Sequence, residues 1–480
     1  MLDQSALSLA RRIRLRELSP VEVIDSHIAR TEAVNPAINA VIADRFERAR
    51  AEARAAEDLL MRSDPAELPP LFGLPYTAKE YIAAEGMPLS AGIWSRRDTR
   101  ATEDAETIRR LRQAGAILIG ITNVPEGGLW LETYNNVYGR TVNPWDPRRS
   151  AGGSSGGEGA IISSGGATFG LGADIGGSIR IPAAFCGIVG HKPTGRMVPN
   201  TGFWPPAEGE LSAYLVCGPM TRRVEDVMPI LRAIAGPDGV DPVTREWTLE
   251  DESAIDLRDV TVFPVETNGR TRVWNRMRVA VRDAADALAA RGATIKPLNL
   301  PRMRRAFEIW SAMMNSAGET TYAEVLGDGE PVALPRELLR AATGRSHHTL
   351  PALIVAAADV LARRLPTTLE RMVRAGRALQ HELEDILGPR GVLLHPPYTR
   401  PAPRHHGPLL TPFDFVCTAL FNVMEFPSTT LPVGFDRNGL PVGVQVIGRR
   451  GADALTVAVA SALEEDFGGW RRSEPRPKAA

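Results

Sequence analysis

From Ser150 to Pro182 the chain reads S-A-G-G-S-S-G-G-E-G-A-I-I-S-S-G-G-A-T-F-G-L-G-A-D-I-G-G-S-I-R-I-P. Two serines sit in glycine-rich turns, Ser154 in G-G-S-S-G-G and Ser178 in I-G-G-S-I-R. Glycine permits positive φ and close backbone approach, so such turns can aim several N–H groups at one point. A serine beside converging N–H groups has what acyl transfer needs: a nucleophile and a cradle for an oxyanion. A flexible Gly/Ser linker would share the composition. The large apolar residues Ile161, Ile162, Phe169, Leu171, Ile175, Ile179 and Ile181 argue against one, because they call for burial. The few charges in the stretch include Glu158 and Asp174.

Working outward, the alternation of Leu74, Tyr76 and Ala78 predicts a strand that Lys79 ends in apolar surroundings. The ordinary place for a lysine is a solvated surface. Residues 108–116 read as a helix closed by Gly115, and Ala116 to Ile121 as a buried strand. This alternation argues for an α/β sheet. Residues 5–60 have a helical pattern, with a start at Ser19-Pro20-Val21-Glu22 and His27 as a surface or packing residue. Residues 123–149 form a long ordered loop of the kind that lines sites. Gly218 to Val227 is expected to begin a helix that runs through Ile234. Residues 258–300 read as strand, helix, strand, and 301–390 as mostly helical. Strands are expected at 391–396 and 440–448, and a helix from Ala452 to about Phe467.

The bulk composition excludes several classes. The chain has 480 residues, 44% hydrophobic and 24% charged, with a formal net charge of −1. No basic excess argues for nucleic acid. The three cysteines, Cys186, Cys217 and Cys417, lie far apart and form neither a metal spacing nor a disulfide framework. A reducing cytoplasm is therefore expected. The start Met-Leu-Asp-Gln-Ser reaches Arg11 and Arg12 without an apolar run, so no signal peptide and no membrane segment are expected. His347-His348 and His405-His406 are adjacent pairs in loop-like contexts, and no metal or cofactor is expected.

Several segments together resemble the amidase signature family over nearly the whole chain. They are G-L-P-Y-T-A-K-E, G-I-T-N-V-P-E, N-P-W-D-P, G-G-S-S-G-G-E-G-A, D-I-G-G-S-I-R-I-P, G-H-K-P-T, C-G-P-M-T-R-R-V-E-D and G-L-P-V-G-V-Q-V-I-G, in the family's order. N-N-V-Y-G-R-T-V-N-P and L-E-E-D-F-G-G-W resemble the stand-alone branch that holds the fatty acid amide hydrolases of the second vertebrate type. The resemblance implies an α/β fold with a central mixed sheet surrounded by helices. It implies one domain over 1–480, with N-terminal helices (1–65), a signature core (66–235), a helix-rich variable region (236–390) and a C-terminal core part (391–480). It also implies a catalytic triad of Ser178 as nucleophile, Ser154 as bridging serine after a cis peptide, and Lys79 as base. The oxyanion hole would be the N–H groups of Ile175, Gly176, Gly177 and Ser178, with Gly128 and Leu129 against the acyl chain. The implied partners are a small-molecule amide and a second copy in a homodimer, and the implied activity is amide hydrolysis on hydrophobic acyl or aryl groups, with esters and carbamates left open as further substrates.

The chemistry is consistent on its own terms. Residues 150–182 contain no histidine, so the serine needs another base. A lysine serves only when neutral, and neutralising one at pH 7 from a reference pKa near 10.4 costs ~4.6 kcal/mol. Burial lowers that cost. Ser154 can accept from one partner while donating to the other. Two rival motifs fail on context. G-G-S-S-G matches the G-x-S-x-G elbow, but N-P-W-D-P-R-R precedes it instead of a strand. No G-x-G-x-x-G follows a strand with an acidic residue at dinucleotide spacing. Two family alternatives share the motifs: a glutamine-hydrolysing subunit of a tRNA-dependent amidotransferase, and a non-catalytic binding member, against which the intact Lys79, Ser154 and Ser178 stand.

Overall fold

The computed structural model describes residues 1–363 and 366–475, and residues 476–480 of the expected C-terminal part lie outside them. Its strands in chain order are β1 (Val41–Asp44), β2 (Pro75–Lys79), β3 (Ile117–Thr122), β4 (Tyr134–Asn135), β5 (Gly139–Arg140), β6 (Phe169–Asp174) and β7 (Val189–Lys192). They continue as β8 (Val216–Thr221), β9 (Thr261–Pro264), β10 (Thr294–Ile295), β11 (Gly391–His395), β12 (Ser428–Phe435) and β13 (Pro441–Ile447). All but the β4–β5 hairpin join one sheet of 11 strands in the order β1-β3-β2-β6-β8-β7-β12-β13-β11-β9-β10. β2 runs parallel to both β3 and β6, while β6, β8, β7, β12, β13 and β11 pair antiparallel in succession. The sheet is thus mixed and is wrapped by helices, as expected.

Local signals explain most elements. The helix Pro20–Ile38 starts with a full capping box, in which Ser19 and Glu22 each satisfy the other's backbone N–H. Its His27 is fully buried, with Nδ1 against the Val23 carbonyl, so it is a packing residue. Two expectations need correction. Residues 5–60 are not all helical, because β1 lies between two helices and pairs with β3 at the sheet edge. The segment from Gly218 starts no helix. It belongs to β8, buried throughout between β6 and β7, and the helix begins only at Val227. Sheet pairing outweighs the local breaker Pro219, which sits opposite Leu171.

The register near β2 decides which side chains share a face. A bulge skips Ile119, because Tyr76 pairs with Leu118 while Thr77 pairs with Gly120 and Lys79 with Thr122. Tyr76, Ala78, Leu118, Ile121, Phe169 and Leu171 therefore enter one apolar cluster. Thr77, Lys79 and Thr122 face the other way, under the buried helix Gly156–Ser163. On the apolar side the Tyr76 and Phe169 rings stack with centroids 5.4 Å apart. Phe169→Ala should lower stability by about 3–5 kcal/mol, read as a lower urea midpoint by circular dichroism. An unchanged midpoint would show that this cluster does not hold the sheet.

Candidate active site

Lys79 ends β2, Ser154 precedes the helix Gly156–Ser163, and Ser178 lies in the loop between β6 and the helix Arg180–Cys186. The Lys79 Nζ donates to Ser154 Oγ at 2.7 Å, with the Ala173 carbonyl at 3.4 Å. The Gly153–Ser154 peptide is cis. The Ser155 N–H donates to the Ser178 carbonyl at 3.1 Å, which sets the two serine turns side by side. Lys79 and Ser154 are buried, while Ser178 is half-buried. Ser178 is thus the outermost of the three. Close packing fixes this geometry: a Cβ on Gly153 would lie 2.2 Å from the Trp130 carbonyl oxygen.

Burial lowers the Lys79 pKa to about 7, opposed chiefly by the charge of Asp174. The Tyr81 ring lies beneath the nitrogen, with its centroid at 5.1 Å. Around neutrality the amine therefore exchanges between a proton-accepting and a charged form.

The loop after β6 departs from expectation at one position. The Gly177 N–H donates to Asp174 Oδ1 at 2.7 Å, so it is turned inward and removed from the expected oxyanion cradle. The N–H groups of Ile175, Gly176 and Ser178 have no acceptor among the described residues. Peptide planarity explains the split, because the C=O and N–H of one trans peptide point opposite ways. Trp310 Nε1 donates to the Ile175 carbonyl at 3.1 Å, which turns the Gly176 N–H to the other side. Thr418 Oγ1 donates to the Gly176 carbonyl at 2.9 Å, which turns the Gly177 N–H to Asp174. The Ile181 N–H holds the Gly177 carbonyl at 2.7 Å and so aims the Ser178 N–H away from it.

Asp174 anchors this loop. Its oxygens also accept from Ile179 N–H, from the Arg180 guanidinium and from the Asn422 side chain. Both members of the Asp174–Arg180 pair are fully buried. Burial alone would raise the Asp174 carboxyl, but Arg180, Lys192 and Asn422 outweigh it and hold the pKa well below the usual carboxylate range. Such a group contributes stability that is complete above its unfolded value near 3.9 and is lost as pH falls toward the folded value. Asp174→Asn leaves Arg180 uncompensated and should lower stability by about 3–5 kcal/mol at neutral pH. It should also flatten the acid arm of a stability-versus-pH curve. An unaltered acid arm would show that Asp174 does not anchor the loop electrostatically.

The 123–135 loop closes one side of the site. Gly128, at φ 69°, places its Cα where a Cβ would meet the Tyr81 ring at 3.2 Å, and Leu129 is half-buried next to it. The Tyr322 hydroxyl, from the helix-rich region, donates to the Glu126 carbonyl at 2.7 Å and pins this turn. On the other side, the Trp310 and Phe415 rings come within 3.6 Å of where a Gly176 Cβ would sit. They form an edge-to-face pair and extend to Phe307. Trp310, Phe415 and Thr418 come from segments far along the chain, and no local pattern marks them. Of the histidine pairs, His348 contacts Glu126 of the 123–135 loop and His405 lies beside Arg140. Among the described residues no three His, Cys, Asp or Glu side chains are grouped to hold a metal ion. No helix there is long and apolar enough to cross a membrane.

Comparison with known proteins agrees with this architecture. The family model described as Amidase matches residues 22–457. Fatty-acid amide hydrolase 2-A of Danio rerio is 40% identical, over 98% of this chain and 90% of that protein. The acylamidase of Rhodococcus erythropolis is 30% identical, over 96% of this chain and 94% of that protein. The crystal structure of a bacterial aryl acylamidase of the amidase signature family superposes with a TM-score of 0.81 at 25% identity, over 96% of each chain. The fold and these relatives define an amide-hydrolysing enzyme. The chain belongs to the amidase signature family and is similar to fatty-acid amide hydrolase 2.

Proposed function

We propose that the enzyme cleaves hydrophobic acyl or aryl amides through an acyl-enzyme on Ser178, with Ser154 as relay and Lys79 as base. The observation that carries this reading is the 2.7 Å hydrogen bond between Ser154 Oγ and a lysine that burial has brought close to neutrality. Neutral Lys79 takes the Ser154 proton as Ser154 takes that of Ser178, and Ser178 Oγ attacks the amide carbonyl. The oxyanion then faces the N–H groups of Ile175, Gly176 and Ser178. The proton returns by the same route to the leaving nitrogen, which departs as a neutral amine, and water releases the acid in a second round. The half-buried Trp310, Phe415 and Leu129 support the preference for apolar groups, as do the relatives named for fatty-acid amides and aryl amides.

Ser178→Ala should abolish both amide turnover and covalent labelling by a fluorophosphonate. Labelling that persists at another serine would overturn the assignment. A substrate panel of anilides, fatty amides and glutamine separates this reading from that of an amidotransferase component, for which glutamine would be the best substrate.

Lys79→Ala should lower amide turnover by at least ~10²-fold, and less on a matched ester with a good leaving group. An amide nitrogen must be protonated to leave, whereas such an ester's oxygen leaves unaided. Only neutral lysine accepts the serine proton, so wild-type amide turnover should fall as pH drops through about 7. Equal losses on both substrates with an unshifted pH profile would rule out the shuttle.

A further inference from the structure

The proton path through Ser154 and Lys79 makes no use of a buried carboxyl on the same face of the sheet. Glu158 lies one turn into the helix Gly156–Ser163 and is fully buried. Thr77 Oγ1 donates to its Oε2 at 2.6 Å, and Thr122 Oγ1 to its Oε1 at 2.8 Å. Thr77 precedes Lys79 by two residues on one strand, so both side chains share a face. Thr122 is the register partner of Lys79 on β3. On β6 the residue opposite Thr77 is Gly170, where a Cβ would fall 1.8 Å from Glu158 Oε2. The carboxyl thus occupies a space that a glycine leaves open, bracketed by one hydroxyl from the lysine's own strand and one from β3. Its remaining neighbour in charge is Lys79.

We propose that Glu158 is the counter-charge of the base, a positioning residue that stabilises the ammonium formed each time Lys79 takes a proton. This rests on the Ser178–Ser154–Lys79 reading. In that step an O–H bond of Ser178 breaks and an N–H bond on Lys79 forms, with Ser154 giving one proton and receiving another. Positive charge appears on a nitrogen shut away from water, where only fixed groups can offset it. Burial raises the Glu158 carboxyl and lowers the Lys79 amine, while the Thr77 and Thr122 donors and the charge of Lys79 favour the ionised carboxylate. An ammonium on Lys79 and a carboxylate on Glu158 therefore stabilise each other. Thr122 Oγ1 also lies 3.4 Å from the Ala78 carbonyl, so its proton can turn there when Glu158 becomes a donor.

The other titratable groups around the pair are committed elsewhere. Asp174 and Cys217 bear on Lys79, and Tyr81 faces its nitrogen. Elements packed against the helix of Glu158 carry Tyr76, His27, Arg180 and Cys186. Burial keeps Tyr76, Tyr81, His27, Cys186 and Cys217 uncharged at neutral pH. Asp174 is paired with Arg180. Glu158 is thus the carboxyl left to offset a charge on Lys79.

The test follows the rate at which a fluorophosphonate labels Ser178 across pH, in the native enzyme and in Glu158→Gln. Removing an anion that favours protonated lysine lets Lys79 shed its proton at lower pH. The midpoint should move down by about 1 unit, the size of effect that one close opposite charge produces. The plateau rate should fall as well, because the ammonium has lost its counter-charge. Thr122→Val withdraws a donor from the carboxylate, so it should shift the midpoint the same way by less. It decides the matter if Glu158→Gln does not fold. An unchanged midpoint in folded Glu158→Gln, or in Thr122→Val when the first variant is lost, overturns the proposal. Failure of Ser178 to label in the native enzyme contradicts the triad reading instead.

Discussion

The desolvation of Lys79 is the constraint on which the site depends. An ammonium in the sheet interior is poorly solvated, so burial favours the neutral amine. The protein achieves this by ending β2 under the Gly-rich helix Gly156–Ser163, with Ser154 as the partner of the nitrogen. The sheet register, with the bulge that skips Ile119, brings Thr77, Lys79 and Thr122 onto that one face. The apolar cluster on the opposite face holds the strand against its neighbours.

A second requirement is directional. An oxyanion cradle needs N–H groups whose own carbonyls are held elsewhere. Here Trp310 holds the carbonyl paired with the Gly176 N–H and Ile181 the one paired with the Ser178 N–H, while Thr418 and Asp174 turn the Gly177 peptide the other way. Trp310 comes from the helix-rich region and Thr418 from the helix Val416–Val423. The distant segments therefore set the orientation of the loop that carries Ser178. The Asp174–Arg180–Asn422 network fastens that loop to the same C-terminal helix.

Much of this was legible in the sequence because it is local. Ser19 and Glu22 announce a capping box, and the alternation ending at Lys79 announces a strand. The serine turns announce backbone crowding that only glycine tolerates. The misreadings share a different cause. β1 is four residues long and exists because the edge of β3 accepts it. β8 contains Gly218 and Pro219, which argue against a central strand, yet neighbours on both sides claim it. Gly177 looks like its neighbours in the cradle until the position of Asp174 relative to its N–H is known. Trp310, Phe415 and Thr418 reach the site by tertiary folding alone, and so do the threonines around Glu158. Single-sequence patterns carry no trace of such meetings.

The central claim is that the sheet makes Lys79 a neutral base near physiological pH. The chain contains only the lysines Lys79, Lys192, Lys296 and Lys478, so each side-chain signal can be followed separately. Carbon- and nitrogen-labelled lysine, with the Lys79 signal assigned by its loss in Lys79→Met, allows a direct NMR titration. A transition for Lys79 near about 7 is the predicted result. A transition that stays near the free lysine value of about 10.4 would contradict the account.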